Sequence, residues 1–449
     1  MATINQPRNI AITLIAAIVI GGGVFGTLWW RQHIPLPAAR FVEPVVVLGE
    51  RPQFHLELEA SRGNVTSLEV RLVQGEIDAV AFSEDYSTDR SPSRSVDVHF
   101  ELRPLGLKEG EAMLVVRTTD DFVRPRETSA SALETPVSID LTPPPLAVRS
   151  ATRYLSPGGA GISVLYAIDA EQLGVMVGDR WFKAYPSGTD GLYMALFALD
   201  VGHDPAIIPT AVALDAAGNR ALRELPVVIQ DEPVALGSVP LSTDWLRRKL
   251  PPLLPARTDF SDEALPEAFR EVSIGLRAEA ATERDRLAGL SGDRRLWSDR
   301  FQQIKNAQVM SRFGVRRTYV LDGDVLDEKV HQGYDLASVA MAEIPAANSG
   351  IVVHAGPLTI YGNSVIIDHG QGLLTLYGHC SSLDVAVGDT VRKGQTIART
   401  GATGLAGGDH LHFEVIVGGV PVSPLQWLDG AWIESHIEQP LAEGGISGS

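Results

Sequence analysis

Cysteine is the scarcest resource of this sequence, with one in 449 residues. A lone Cys380 excludes an intramolecular disulfide framework and any zinc or iron–sulfur centre built from several thiolates. Cations are also short: 38 Lys and Arg stand against 55 Asp and Glu, a formal charge of −17. That balance excludes nucleic acid as the main partner, because phosphate contacts need a cationic excess. There is no His-Glu-x-x-His helix to supply a glutamate base, and the glycine-rich Gly401-Ala-Thr-Gly404 lacks the lysine of a phosphate loop. The remaining composition, 45% hydrophobic and 21% charged, is that of a globular chain with length for about three domains.

Long apolar runs are scarce as well, and the exception is N-terminal. Ile10 to Trp30 carries no charge, and at about 1.5 Å per residue it matches a hydrocarbon core of about 30 Å. The run is expected to be a transmembrane helix, with Trp29 and Trp30 at the interface. A cleaved signal peptide fits less well: no Ala-x-Ala-like site follows, and a typical apolar core there has only about 7 to 15 residues. Arg8 and the terminal amine flank one side, Arg31 and Arg40 the other, so charge alone does not orient the helix.

From about Phe41 to Ile229 the apolar pattern has a period of two, as in Val96-Asp-Val-His-Phe-Glu-Leu102, the alternation of half-buried strands. Three prolines, 143 to 145, cannot lie in a central strand and divide the region. Two β-sandwich domains are expected, 41–142 and 146–235. The second, with its Asp215-Ala-Ala-Gly-Asn219 turn, resembles bacterial immunoglobulin-like sandwiches. Residues 241–308 change texture, with Phe269, Val272, Ile274 and Leu276 at helical spacing and Ser261-Asp-Glu ahead of Pro266 as a helix start. This helical segment reads either as an arm that positions or covers a neighbouring site or as a spacer. A third β-rich region, 309–430, precedes a tail, 431–449, expected to be flexible.

Four of the eleven histidines and one aspartate fall in three short motifs of that last region: His331-Gln-Gly-Tyr-Asp335, Tyr377-Gly-His379 and His410-Leu-His412-Phe-Glu414. Imidazole and carboxylate are ligands that suit Zn²⁺, and catalytic zinc usually takes three protein ligands and keeps one position for water. On a strand, residues two apart share a face, so His410 and His412 project together. His331 and Asp335 can converge through a turn if Gly333 relaxes the backbone. Taken singly, a His-x-His strand, a His–Asp surface hydrogen bond and a histidine near a turn are ordinary structural features. Their joint occurrence favours one site.

With the surrounding segments the pattern resembles a known family. Ser311-Arg-Phe-Gly, His331-x-x-x-Asp335, Tyr361-Gly-Asn-Ser-Val-Ile-Ile-Asp-His-Gly370, Tyr377-Gly-His379, Val387 to Gln395, Gly401-Ala-Thr-Gly404 and His410-Leu-His-Phe-Glu414 are similar to the lysostaphin-like (LytM-type) zinc metalloendopeptidases, hydrolases of peptidoglycan peptides. The resemblance covers roughly the last quarter of the chain. It implies a β-rich lysostaphin-like (duplicated hybrid motif) catalytic domain with an open groove, Zn²⁺ held by His331, Asp335 and His412, and His379 and His410 as the catalytic pair. Glu414 then reads as a strand salt bridge or a hydrogen-bond partner of a ligand. His369 is expected to shape a turn, His354 to lie outside the site, Cys380 to pack, and Gly401 to Gly404 to wall the substrate groove.

With the β-rich patterning and the N-terminal apolar run, the peptidoglycan substrate that the resemblance implies leads to the expectation of a mainly β, single-pass protein of the inner or cytoplasmic membrane, with residues 1–9 as a cytoplasmic tail and the catalytic domain in the periplasm. Its expected partners are peptidoglycan and, through the β domains, other envelope proteins. Two alternatives belong to other classes. One is a non-catalytic regulator that activates another cell-wall hydrolase; such members commonly lack ligand or catalytic residues, and all five positions are filled here. The other is a biotinyl- or lipoyl-carrier hairpin around Lys393, which would need a Met-Lys context, whereas Arg392 precedes it.

Overall fold

The computed structural model describes residues 6–126, 131–230 and 232–446. Residues 1–5 of the expected cytoplasmic tail and 447–449 at the C-terminal end lie outside the described residues. The fold is mainly β and divides into two compact units, one of residues 1–143 with 214–220, the other of 144–213 with 221–449.

Helix α1, Gln6–Gln32, begins the first unit; its Leu14–Gln32 stretch has a mean hydropathy of 1.5 and is not buried by the rest of the described residues. By length and composition it can cross a membrane. The alternating segments that follow form a five-stranded and a three-stranded sheet. Leu56, Val98, Leu68, Val70 and Leu114 of the two sheets meet in one core. Period-two alternation sends these side chains inward and leaves Glu57, Asp97 and their neighbours to solvent.

In the second unit, strands from residues 146–213 and 221–224 form two four-stranded sheets, and residues 308–422 supply an eight-stranded sheet. The strands Asn363–Asp368, Leu373–Gly378 and Leu411–Val417 lie inside this large sheet and are almost wholly buried. Both of its faces are covered, so the strands read as unbroken apolar runs. Val365, Ile367, Tyr377, Phe413, Val415 and Val417 point into a core shared with Phe182, Leu196 and Phe197 of the 146–224 sheets. Their sequence neighbours Ile366, Leu374, Leu376 and Ile416 point to the opposite face, against Leu246, Phe269, Val272 and Leu287 of the helical segment.

That segment comprises α2 (Thr243–Lys249), α3 (Leu265–Arg270), a π-helical turn (Glu271–Leu276) and α4 (Arg277–Gly289). It departs from the expected helical 241–308 in three ways. Ser261 does not cap a helix side-on; α3 begins at Leu265, with Pro266 in its first turn, while the capping serine is Ser242, whose Oγ accepts from the Trp245 N–H at 3.3 Å. Phe269 and Val272 are buried, but the π turn adds a residue to the repeat and turns Ile274 outward, 57% exposed. Helix stops at Gly289, and residues 290–307 run without regular structure, anchored where Trp297 and Phe301 pack edge-on to Trp427 at 5.4 and 5.5 Å.

The expected flexible tail is corrected more sharply. Helical turns run from Gly430 to Glu443, and Ile433, Ile437 and Leu441 enter the shared core. Their spacing of four is an apolar helical stripe that the glycine-rich end, Gly444 onward, obscures.

His369 ends the Asn363–Asp368 strand as a satisfied core histidine. Its Nδ1–H donates to the Ser349 carbonyl at 2.7 Å and its Nε2 accepts from the Thr375 hydroxyl at 2.8 Å. Burial pushes the imidazole down to about 4. An unfolded chain takes up that proton near pH 6.5, so stability from this residue is complete above pH 6.5 and is lost as pH falls toward 4. Between pH 7.5 and 4.5 the loss should be about 2–3 kcal/mol. Urea titrations at the two pH values should show His369→Asn less acid-sensitive than wild type by that amount; equal acid sensitivity contradicts the assignment.

Candidate metal and catalytic centre

Strand register builds the site. Leu411–Val417 lies between Tyr334–Ala337 and Leu373–Gly378, and its His412 stands directly opposite Asp335 on one side and Gly378 on the other. Residues opposite in an antiparallel pair hold their Cβ atoms about 4.5–5.5 Å apart, so Asp335 and His412 must meet. His379 follows the second neighbouring strand, and His331 lies four residues before Asp335. Parity does the rest: His412, Glu414 and Ile416 share a face, the one covered by the helical segment, while Phe413 and Val415 face the other core.

Three donor atoms form a triangle. Asp335 Oδ1 lies 3.0 Å from His331 Nε2 and 2.9 Å from His412 Nδ1, and the two nitrogens are 3.3 Å apart. Ligand bonds of about 2.0–2.1 Å place the corners of a zinc tetrahedron about 3.3 Å apart, so this nitrogen–nitrogen–oxygen set fits Zn²⁺ in both chemistry and size. The outer atoms prepare it. His331 donates from Nδ1 to the Arg312 carbonyl at 2.8 Å, and His412 donates from Nε2 to Glu414 Oε1 at 2.9 Å, which turns the opposite ring nitrogens, His331 Nε2 and His412 Nδ1, into the triangle. Arg317 donates to Asp335 Oδ2 at 2.5 Å.

Charge is distributed unevenly. Burial opposes ionisation of Asp335, yet hydrogen bonds from His331, His410 and His412 hold its carboxyl well below the usual range. Burial likewise opposes a charge on His412, but Asp335 and Glu414 raise it to about 9. For His331, burial prevails over Asp335 and lowers the imidazole.

His379 and His410 stand beside this triangle with ring centroids 4.9 Å apart. His379 adopts φ 65°, a left-handed conformation unusual for a side chain with a Cβ. Its Nδ1–H donates to the Thr403 carbonyl at 2.8 Å, and burial together with the neighbouring His412 and His410 lowers its pKa well below the ordinary histidine value. His410 donates from Nδ1 to the Gly408 carbonyl at 2.9 Å and brings Nε2 to 3.6 Å from Asp335 Oδ1. All five histidine and aspartate side chains border one groove of about 470 Å³, whose other walls include Leu241, Trp245 and Arg277 from outside the third β-rich region.

Several expectations change at this level. Gly333 has an ordinary φ, so its role is space: a Cβ there would meet the Phe413 carbonyl oxygen at 2.5 Å and His412 Nε2 at 2.9 Å. Gly401 to Gly404 do not wall the groove; Leu405 and Gly407 do. The earlier residues instead lock two loops, with Gly404 against the Gly362 backbone and the Thr403 hydroxyl bridging the Asn363 N–H and the Cys380 carbonyl, each at 3.0 Å. Glu414 bonds a histidine of the triangle and also pairs with Arg284 at 3.3 Å. Cys380 is fully buried, its thiol pushed up to about 12 by burial. His354 Nε2 faces the Gly356 carbonyl at 3.2 Å, away from the cluster. Lys393 donates to the Arg300 carbonyl.

Sequence reasoning missed Arg284, Arg317 and the role of Tyr361. Arg284 carried a usable signal: it lies on the stripe Ala280, Arg284, Leu287, Ala288, the buried face of α4. Arg317 alternates among charged strand residues and carried none.

Comparison with known proteins agrees with this geometry. Peptidase family M23 matches residues 329–424. DD-carboxypeptidase/endopeptidase Mpg of Neisseria meningitidis is 36% identical over 118 residues, 26% of each chain. Peptidoglycan DD-endopeptidase ShyC of Vibrio cholerae is 35% identical over 117 residues, again 26% of each. Murein hydrolase activator EnvC of Escherichia coli is 42% identical over 86 residues, 19% of this chain and 20% of its own. The chain thus spans about a quarter of the length of the first two relatives. Within those bounds the resemblance drawn from the motifs holds: residues 329–424 are a peptidase family M23 domain of the lysostaphin-like (LytM) type.

Proposed function

We propose that this protein is a membrane-anchored zinc metalloendopeptidase that hydrolyses stem peptides or peptide cross-links of bacterial peptidoglycan. The observation that carries the reading is the triangle of His331 Nε2, Asp335 Oδ1 and His412 Nδ1, with edges of 2.9–3.3 Å, bordering an open groove beside two further histidines. His331, Asp335 and His412 would hold the metal; His379 and His410 would handle protons. Bound there, Zn²⁺ supplies Lewis acidity toward the scissile carbonyl and lowers the pKa of a bound water from about 15.7 toward about 7.

The chain's own groups supply the remainder. His379 is kept neutral by burial, and with Nδ1–H committed to Thr403 its Nε2 lone pair can accept a proton from the attacking water. His410, less buried and tied through Nδ1–H to Gly408, can carry a proton on Nε2 to stabilise a developing oxyanion or to supply the leaving amine. Thr403 and Gly408 hold the two rings so that little reorganisation is needed. A peptidoglycan substrate places the catalytic groove outside the cytoplasm, so α1 would run with its N-terminus inside. The β regions, including the proposed immunoglobulin-like sandwich of 146–235, would link the anchor to the catalytic domain along the chain. The first substrate to test is a D-Ala to diaminopimelate cross-link, the second a glycine bridge.

One observation favours a second reading. The similarity to an activator of murein hydrolases leaves room for a domain that binds a hydrolase and cleaves nothing. The five filled positions and the inward-turned ring nitrogens of His331 and His412 support the enzyme. Zinc content and release of soluble fragments from purified sacculi separate the two: an inert, metal-free wild-type protein means the activator.

The roles divide cleanly on substitution. His331→Ala and His412→Ala should each abolish stoichiometric zinc, measured by elemental analysis, because two protein ligands make a poor site; full zinc in both variants contradicts the ligand set. His379→Ala and His410→Ala should keep their zinc while sacculus hydrolysis falls by about 10²–10⁴-fold, the usual range for general acid–base groups. Undiminished hydrolysis in either variant removes that residue from the catalytic pair.

A further inference from the structure

We infer that Arg284, on helix α4 and outside the residues matched by the M23 family, is a positioning residue of the metal site. It fixes Glu414, and Glu414 in turn holds His412 with Nδ1 directed at His331 and Asp335. The inference rests on the metal-site reading above and extends it to the helical segment.

The geometry forms a continuous chain. Glu414 is wholly buried and every bond of its carboxylate is directional. Oε1 accepts from His412 Nε2–H at 2.9 Å and from the Tyr361 hydroxyl at 2.6 Å; Oε2 receives Arg284 Nη1 at 3.3 Å. The same Nη1 donates to the Tyr361 oxygen at 2.6 Å and to Gln332 Oε1 at 3.0 Å. Gln332 directly follows His331, so one guanidinium touches groups attached to two of the three metal-binding positions. Arg284 is 3% exposed and is the charged residue on an otherwise apolar helix stripe, with Ala280, Leu287 and Ala288 around it. Burying an arginine is costly unless it is paired and hydrogen-bonded, and its partners here all belong to the site.

The consequence concerns orientation. Without Arg284, Glu414 loses the arginine that fixes its second oxygen, and the carboxylate is free to turn or draw in water. The Nε2–H bond that orients His412 then slackens, and the triangle loses a preset corner. Loss of such an outer partner typically lowers metal affinity by about 10–100-fold. Helix α4 is therefore part of the site as well as its cover, and not a spacer.

The test uses the full-length protein in detergent, with zinc affinity from chelator competition and the visible spectrum of the Co²⁺-substituted form. Arg284→Met should weaken zinc binding by about 10–100-fold and alter the cobalt bands, and Arg284→Lys should recover part of the affinity. Arg286→Met, which breaks only a surface pair with Glu283 on the same helix, should match wild type. Because Arg284 acts through Glu414, adding Glu414→Gln to Arg284→Met should cause no further loss than the weaker single variant. A folded Arg284→Met protein with wild-type zinc affinity and cobalt spectrum overturns the inference, as do fully multiplicative losses in the double variant. If Arg284→Met does not fold, the double variant decides: affinity equal to that of Glu414→Gln supports the inference, and a further tenfold loss overturns it. Absence of zinc from wild type instead defeats the metal-site reading itself.

Discussion

One strand, Leu411–Val417, carries the constraint on which the rest depends. Its register sets His412 opposite Asp335 and Gly378, so two motifs widely separated in sequence reach the same atoms. A slip of one residue would exchange its faces, sending His412 and Glu414 into the core of Phe413 and Val415. That exchange is prevented energetically, since it would bury a histidine and a carboxylate without partners and expose aromatic and branched side chains to the polar site. Apolar packing of the odd-numbered residues therefore fixes the position of the even-numbered polar ones.

Covering both faces of the sheet has a cost and a use. The two β sheets of residues 146–224 close one face, and the helical segment closes the other, the face of the donor triangle. Polar groups on that second face are removed from water, so each needs a partner. The chain Arg284, Tyr361, Glu414 and His412 meets that need and sets the direction of an imidazole at the same time. Breaking a buried ion pair of this kind typically costs about 3–5 kcal/mol, which ties integrity of the site to packing of the helix.

The open side of the site shows a different balance. His379 and His410 each commit Nδ1 to a backbone carbonyl, of Thr403 and Gly408, and keep Nε2 toward the groove. His379 accepts a strained backbone to do so, a local cost that the interlocked loops around Gly362 and Gly404 sustain. Leu241, Trp245 and Arg277 extend the walls of the groove beyond the residues that match the M23 family.

Much was legible from residue order. Period-two alternation identified β structure before any coordinates, because a half-buried strand must alternate, and the unbroken apolar run of α1 was visible for the same kind of reason. The motifs around His331, Asp335, His379, His410 and His412 drew attention to five side chains that border one groove, since few other roles explain those residue types in that order. Helix boundaries were less legible: the π turn at Glu271–Leu276 and the packed helix from Gly430 depend on what lies opposite them. The distances within the donor triangle, the choice of ring nitrogen on each histidine and the recruitment of Arg284 to Glu414 were decided only by tertiary structure. The cross-strand edges of the triangle and the Arg284 and Tyr361 bonds to Glu414 join segments 53 to 130 residues apart, and a linear pattern records which groups exist but not which surfaces exclude water around them.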